Sequence, residues 1–206
     1  MVYLYIANIS ALPLPDECPK LVGGLSSERR KRLETLLQAE KKKQCLGAGL
    51  LLEKALDYHG ISAEHVHIGE NGKPEVEGIY FNLSHSGDYV ICAVSDVLVG
   101  CDIEKRRTVS HQLAERYFCN AEKVHLESFT DEAYEREFFR IWTRKESYAK
   151  MTGEGMAITV DAFNVLQKEG RGYFFEEYEF EGYQIAVCTE TEQNLKIETV
   201  DVILFV

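Results

Sequence analysis

Most features that would quickly assign a chain are missing from this one. Its six cysteines, at positions 18, 45, 92, 101, 119 and 188, form no C-x-x-C pair, which argues against a disulfide framework. No apolar run reaches about 18 residues, so no membrane span is predicted. The apolar start, MVYLYIANIS, lacks the positive region and small-residue cleavage site of a secretory signal. It reads as the first strand of a cytoplasmic protein, whose thiols are expected to be reduced and several of them buried. Only four prolines occur, which together with 45% hydrophobic and 11% aromatic residues excludes disorder, collagen-like repeats and low-complexity scaffolding. Basic charge is scarce: 23 Lys and Arg against 34 Asp and Glu leave a formal charge of −11. Such a balance excludes a protein that coats nucleic acid, because that binding depends on neutralising phosphates. No G-x-x-x-x-G-K-[ST], G-x-G-x-x-G or G-x-S-x-G is present, so the familiar nucleotide-binding and hydrolase folds have no support.

What is there begins with length. The 206 residues make one large domain or two small ones with a core of useful size. On this acidic background lies a cationic block of Arg29, Arg30, Lys31, Arg32, Lys41, Lys42 and Lys43, interrupted by Glu34 and Glu40. A solvated helix face and a local anion site both fit it. Along the chain the patterns predict a strand at Val2 to Ile6 and a proline-bearing loop through Pro13, Pro15 and Pro19. One bent helix or two follow, capped by Ser26 or Ser27 and stopped by Gly60. Strands over Glu64–Ile68, Ile79–Leu83, Tyr89–Ser95 and Leu98–Ile103 read as a small antiparallel meander. Helices near Ser110–Phe118, Glu122–Phe129 and Glu132–Met151 come next, then strands near Phe163 and over Tyr173–Phe180, Tyr183–Thr189 and Lys196–Phe205. Helices followed by strands, twice, with YVICAVS resembling YQIAVCT, predict an α+β fold of two similar halves, residues 1–105 and 106–206.

Three segments carry chemistry. In VGCDIEK, Asp102 and Glu104 stand at i and i+2 on a strand and project from one face. Hard cations such as Mg²⁺ take oxygen ligands of this kind, and acidic strand ends exposed to water look the same. In WTRKESYAK, Trp142, Glu146 and Lys150 follow at i+4 steps on one helix face, with Lys145 beside them. A third carboxylate and a lysine one turn on would complete a metal site and supply a cation for phosphate oxygens. In FNLSHSGD, a tight turn offers Ser84 and His85 before Gly87, and upstream GKP presents Lys73. Each of these also has a plain reading, as a hairpin connection or an exposed loop lysine. His65 and His67 alternate on a strand, but no further Cys or His at ligand spacing supports zinc.

Taken together, FNLSHSG, VGCDIEK and WTRKESYAK resemble the 4′-phosphopantetheinyl transferases, in particular the surfactin-type class. The resemblance runs from the basic block to Lys150. It implies the fold of that family, two α+β halves related by a pseudo-two-fold, in a monomer. The N-terminal half would bind coenzyme A and hold the first metal ligands, and the C-terminal half would carry the W-x-x-K-E-x-x-x-K helix. The implied activity is Mg²⁺-dependent transfer of the phosphopantetheine arm of coenzyme A to a serine of an apo acyl or peptidyl carrier protein, releasing adenosine 3′,5′-bisphosphate. Residue by residue, the resemblance implies Asp102, Glu104 and Glu146 around Mg²⁺, and Lys150 on the transferring phosphate. Ser84, His85, Lys73 and Lys145 would lie on coenzyme A, with Arg29 and Arg32 on its 3′-phosphate. Lys43 stands where the family usually has arginine, which keeps the charge and loses the bidentate fork. Gly100 and Trp142 match positions that shape the site, and Glu122 matches a further acidic position without an assigned role. The acceptor of the serine proton is open between Glu146 and a bound water. A carrier, typically acidic, would dock on a locally basic or apolar surface, expected near the segment after Lys105. Two other readings share these residues: a Mg²⁺-dependent diphosphate hydrolase, which leaves the basic block unexplained, and a non-catalytic coenzyme A-binding module, which does not need Asp102, Glu146 and Lys150.

Overall fold

A computed structural model describes residues 1–69, 72–153, 163–166 and 172–201. The chain divides into two compact units, one of residues 1–96 with 194–206 and one of residues 97–193.

The first unit starts with β1 (Val2–Asn8), whose Val, Leu and Ile positions are buried. The proline loop that follows is more ordered than expected. Pro15–Glu17 forms a single 3₁₀ turn, and α1 (Pro19–Gly24) starts at Pro19, a place where proline's missing N–H costs nothing. Two separate helices then carry the cationic block, α2 (Ser27–Thr35) and α3 (Ala39–Tyr58). Ser26 caps α2 by accepting from the Arg29 amide at 3.3 Å, and the extended backbone at Leu36 and Gln38 separates the helices.

The expected meander is divided differently. Ala63–His65 is a 3₁₀ turn, and β2 (His67–Ile68) with β3 (Pro74–Glu75) makes a separate two-residue ribbon. Next, β4 (Tyr80–Ser86) and β5 (Tyr89–Ser95) form a hairpin that joins β1, giving the order β4-β5-β1-β9, where β9 (Leu195–Thr199) runs parallel to β1. The helix α3 lies on β5, β4 and β1. Its Leu46, Leu51 and Leu56 pack with Tyr5, Val90, Cys92 and Val94, and each leucine so buried contributes about 2 kcal/mol.

The second unit opens with β6 (Val99–Lys105), which pairs along its whole length with β8 (Tyr183–Thr189) rather than with β5; β7 (Phe174–Phe180) completes the order β6-β8-β7. This continuous pairing moves the division of the chain to residues 96 and 97, where 105 and 106 had been expected, and returns β9 to the first unit. Asp102 and Glu104 therefore belong to the second unit's sheet, not to an N-terminal half. Between β6 and β7 come α4 (His111–Tyr117), α5 (Asn120–Leu126) and α6 (Asp131–Thr152), the last packed on β6 and β8. Phe163, expected in a strand, lies in a turn over 163–166, and the part of the expected last strand beyond Asp201 falls outside the described residues. The fold is mixed α+β. No helix among the described residues is long and apolar enough to cross a membrane.

Candidate functional site

In the second unit a glycine sets the geometry. A Cβ at Gly100 would collide with the Ser147 carbonyl and the Met151 amide, so glycine lets β6 and α6 approach backbone to backbone. Asp102 and Glu104 follow on the same face of β6, and this brings them to the turn of α6 that carries Glu146 and Lys150. The Lys150 ammonium donates to Asp102 Oδ1 at 2.7 Å and to the Cys101 carbonyl at 3.2 Å. Asp102 is buried and Lys150 partly so. Burial works against the charge on Lys150, but Asp102, with Cys101 and Glu146, outweighs it and holds the group above the ordinary lysine range. Glu146 is half-buried and pushed up to about 6, first by burial, then by Asp102 against the opposing Lys150, with Glu104 adding to the rise. Three carboxylates thus feel one another around one ammonium. Among the described residues no three His, Cys, Asp or Glu side chains close into a ready-made ion cage. Glu104 also pairs with Arg107 at 3.4 Å, and Arg106 pairs with Glu179 at 2.8 Å.

Trp142, one helical turn before Glu146 on α6, packs against the apolar cluster of Phe118, Phe138 and Phe139, stacked on Phe138 at 6.0 Å and edge-on to Tyr117 at 5.3 Å. Lys145 has another role than the one expected. Its side chain is 1% exposed and pairs at 2.9 Å with Glu122, which is fully buried. It also donates to the Phe163 carbonyl at 2.7 Å. Glu122 in turn accepts from the amides of Cys119 and Val165, both at 2.9 Å. An ammonium so enclosed is out of reach of a ligand in solvent, and the expected contact of Lys145 with coenzyme A is corrected to a structural ion pair. A sequence cue existed in the helix phase, because Lys145 lies about 100° away from the face that carries Glu146.

The first unit holds a cavity of about 280 Å³ into which Arg29 and Arg32 of α2, Lys73 before β3 and His85 of β4 converge. A second cavity of about 390 Å³ shares Arg29, Arg32 and Pro74 and has Leu52, Val66 and Ile68 in its lining. Four cationic or imidazole groups around a small volume suit a phosphate, and the neighbouring apolar lining suits a base.

Two expected members are placed elsewhere. Lys43 donates to the Ser10 carbonyl at 2.6 Å and is not among the lining residues. Ser84 is buried and, being adjacent to His85 on a strand, lies on the opposite face. The tight turn read over Ser84 and His85 is in fact strand, because pairing of Ser86 with Tyr89 confines the turn to Gly87 and Asp88. Lys41, which the sequence reading passed over as a binding residue, lines the cavity with Cys45 and Ala48, and that i, i+4, i+7 spacing was its available signal.

Glu53, one helical turn beyond Gly49, over which the Arg29 stem packs, is pushed up to about 7 by burial against the opposing Arg29. A carboxyl raised from 4.5 binds its proton more tightly folded than unfolded, so stability falls as pH rises through that window. The full shift corresponds to roughly 3 kcal/mol, which solvent screening of this half-buried group reduces, so Glu53→Gln should nearly match the wild type near pH 4.5 and exceed it by about 2 kcal/mol at pH 8, read from urea midpoints. A constant difference across that range would refute the burial effect.

The family model for the 4′-phosphopantetheinyl transferase superfamily matches residues 98–200. Among curated relatives, the chain is 32% identical over 199 residues to the 4′-phosphopantetheinyl transferase gsp of Aneurinibacillus migulanus, covering 88% of this chain and 84% of the relative. It is 31% identical over 194 residues to ffp of Bacillus subtilis, covering 80% and 87%. With Sfp of Bacillus subtilis strain 168 the identity is 28% over 191 residues, covering 84% and 85%.

Proposed function

The chain belongs to the 4′-phosphopantetheinyl transferase superfamily, a transferase enzyme, and from that premise we propose that it moves the phosphopantetheine arm of coenzyme A to a serine of an apo carrier protein, leaving adenosine 3′,5′-bisphosphate. The observation that carries this reading is the convergence of Arg29, Arg32, Lys73 and His85 on one cavity. A diphosphate hydrolase does not need such a cluster, and a ligand with several phosphates does.

In this proposal Arg29 and Arg32 hold the 3′-phosphate, while Lys73 and His85 face the remaining phosphate oxygens. Asp102, Glu104 and Glu146 would hold Mg²⁺. They are oxygen donors of the type it takes, and the burial that raises Glu146, together with repulsion from Asp102 and Glu104, disfavours a charge that a divalent cation would stabilise. When bound, the ion would neutralise charge on the pyrophosphate. The serine oxygen forms the new bond to the β-phosphorus, and the bond from that phosphorus to the oxygen bridging to the nucleotide breaks. The serine proton passes to Glu146 or to solvent, and Lys150 stabilises the oxygen that departs with adenosine 3′,5′-bisphosphate. Lys150 is kept charged for this by Asp102.

To the same proposal belong the monomeric state, the cytoplasmic setting and the pseudo-two-fold relation of two halves. The last is supported by the recurrence of a long helix on antiparallel strands, α3 with β4 and β5, and α6 with β6 and β8.

Intact-mass spectrometry tests the reaction. Apo carrier proteins incubated with the enzyme, coenzyme A and Mg²⁺ should each gain one phosphopantetheine on serine, and EDTA should abolish the gain. Cleavage of coenzyme A with an unmodified carrier would replace the proposal with the hydrolase.

A further inference from the structure

We infer that Lys41 is an additional contact for the 3′-phosphate, held in place by Gln44. The inference rests on the reading of the basic cavity as the nucleotide site. Lys41 projects from the first turn of α3 into the cavity that Arg29 and Arg32 line. Lys43, two residues on and about 200° round the helix, turns away to the Ser10 carbonyl. The Lys41 ammonium donates to Gln44 Oε1 at 3.2 Å. Gln44 is 2% exposed, and its amide nitrogen donates to the Gly87 carbonyl at 3.1 Å, in the turn that follows His85. That bond directs the amide oxygen of Gln44 to Lys41, so the side chain tethers the lysine to the hairpin that carries the imidazole.

Placement along the helix adds a second argument. Lys41, Lys42 and Lys43 crowd the N-terminal end of a 20-residue helix whose first-turn acid is Glu40 and whose N-cap, Gln38, makes no capping bond through its side chain. Cations at that end oppose the helix dipole, whereas an anion seated there is favoured by both the dipole and the lysine. Arg29, Arg32, Lys41 and Lys73 bring four positive charges to the cavity. Two phosphate monoesters carry about −3 to −4 near neutral pH, which matches adenosine 3′,5′-bisphosphate.

Calorimetric titration compares that ligand with adenosine 5′-monophosphate, which lacks the 3′-phosphate. Lys41→Ala should lower affinity for the bisphosphate about tenfold and leave the monophosphate within about twofold. Lys41→Arg should restore most of the loss. Gln44→Leu should cost about threefold in the wild type and nothing further in Lys41→Ala, an interaction that a merely structural role would not show. Thermal melts of each variant establish that it folds. Unchanged bisphosphate binding by Lys41→Ala, or equal losses for both ligands, would overturn the inference while leaving the nucleotide site in place. A wild-type protein with no preference for the bisphosphate would overturn the cavity reading and this inference with it.

Discussion

Glu146→Gln is expected to slow carrier modification by about a thousandfold or more while the protein keeps its fold. The substitution keeps the shape of the side chain and removes one charge. That charge is opposed by burial and by the neighbouring Asp102 and Glu104, so its loss does not cost stability. What it removes is an anionic oxygen donor and a proton acceptor, both of which the proposed chemistry needs. Asp102→Asn should also inactivate, but less cleanly. Asp102 is the carboxylate partner of Lys150 at 2.7 Å, and an ammonium left without it lowers the unfolding midpoint as well. Time courses by intact mass, with thermal melts of the same preparations, separate the two effects. Turnover of Glu146→Gln within about tenfold of wild type would remove Glu146 from the chemistry.

The second large effect concerns Lys145. Lys145→Met should destabilise the protein by about 3–5 kcal/mol, because it leaves the Glu122 carboxylate buried without the ammonium and the Phe163 carbonyl without its donor. Adding Glu122→Leu should recover part of the loss, since an apolar pair avoids the desolvation of both charges. The competing idea, direct contact with coenzyme A, makes the opposite forecast: weaker nucleotide binding with unchanged stability. Urea unfolding of the single and double variants, together with a nucleotide titration of the single one below its midpoint, decides between them.

Local pattern carried some of these features further than others. The strands Tyr89–Ser95 and Tyr183–Thr189 were bounded correctly by turn residues on both sides, and the expected end of α6 at Met151 fell one residue short of the observed Thr152. The i, i+2 carboxylates on β6 and the i+4 series on α6 were legible for the same reason, because periodicity is a property of neighbouring residues. Partnership between strands is not local. Nothing in VLVGCDIEK says that it pairs with Tyr183–Thr189 rather than with the strand just before it, so local pattern alone gives the meander one strand too many. Charge also misled. Lys145, next to Glu146 in sequence, was read with the site, although its own helix angle turns it into the core. On α3 the resemblance points to Lys43, whose ammonium donates to the Ser10 carbonyl, while Lys41 is the lysine of that helix in the cavity lining.

The position of β9 has a consequence for how the protein is made. Residues 195–199 cover the edge of β1 by parallel pairing, yet 97 residues of the second unit, 97 to 193, are translated in between. At about 5–20 residues per second, the ribosome leaves that edge open for roughly 5–20 s. During this interval the nascent N-terminal unit has its helices but not its last strand, and an uncovered strand edge is a template for pairing with other chains. A premature stop between Asp96 and Leu195 would make that interval permanent, yielding a product prone to aggregate even though every residue of the basic cavity is present.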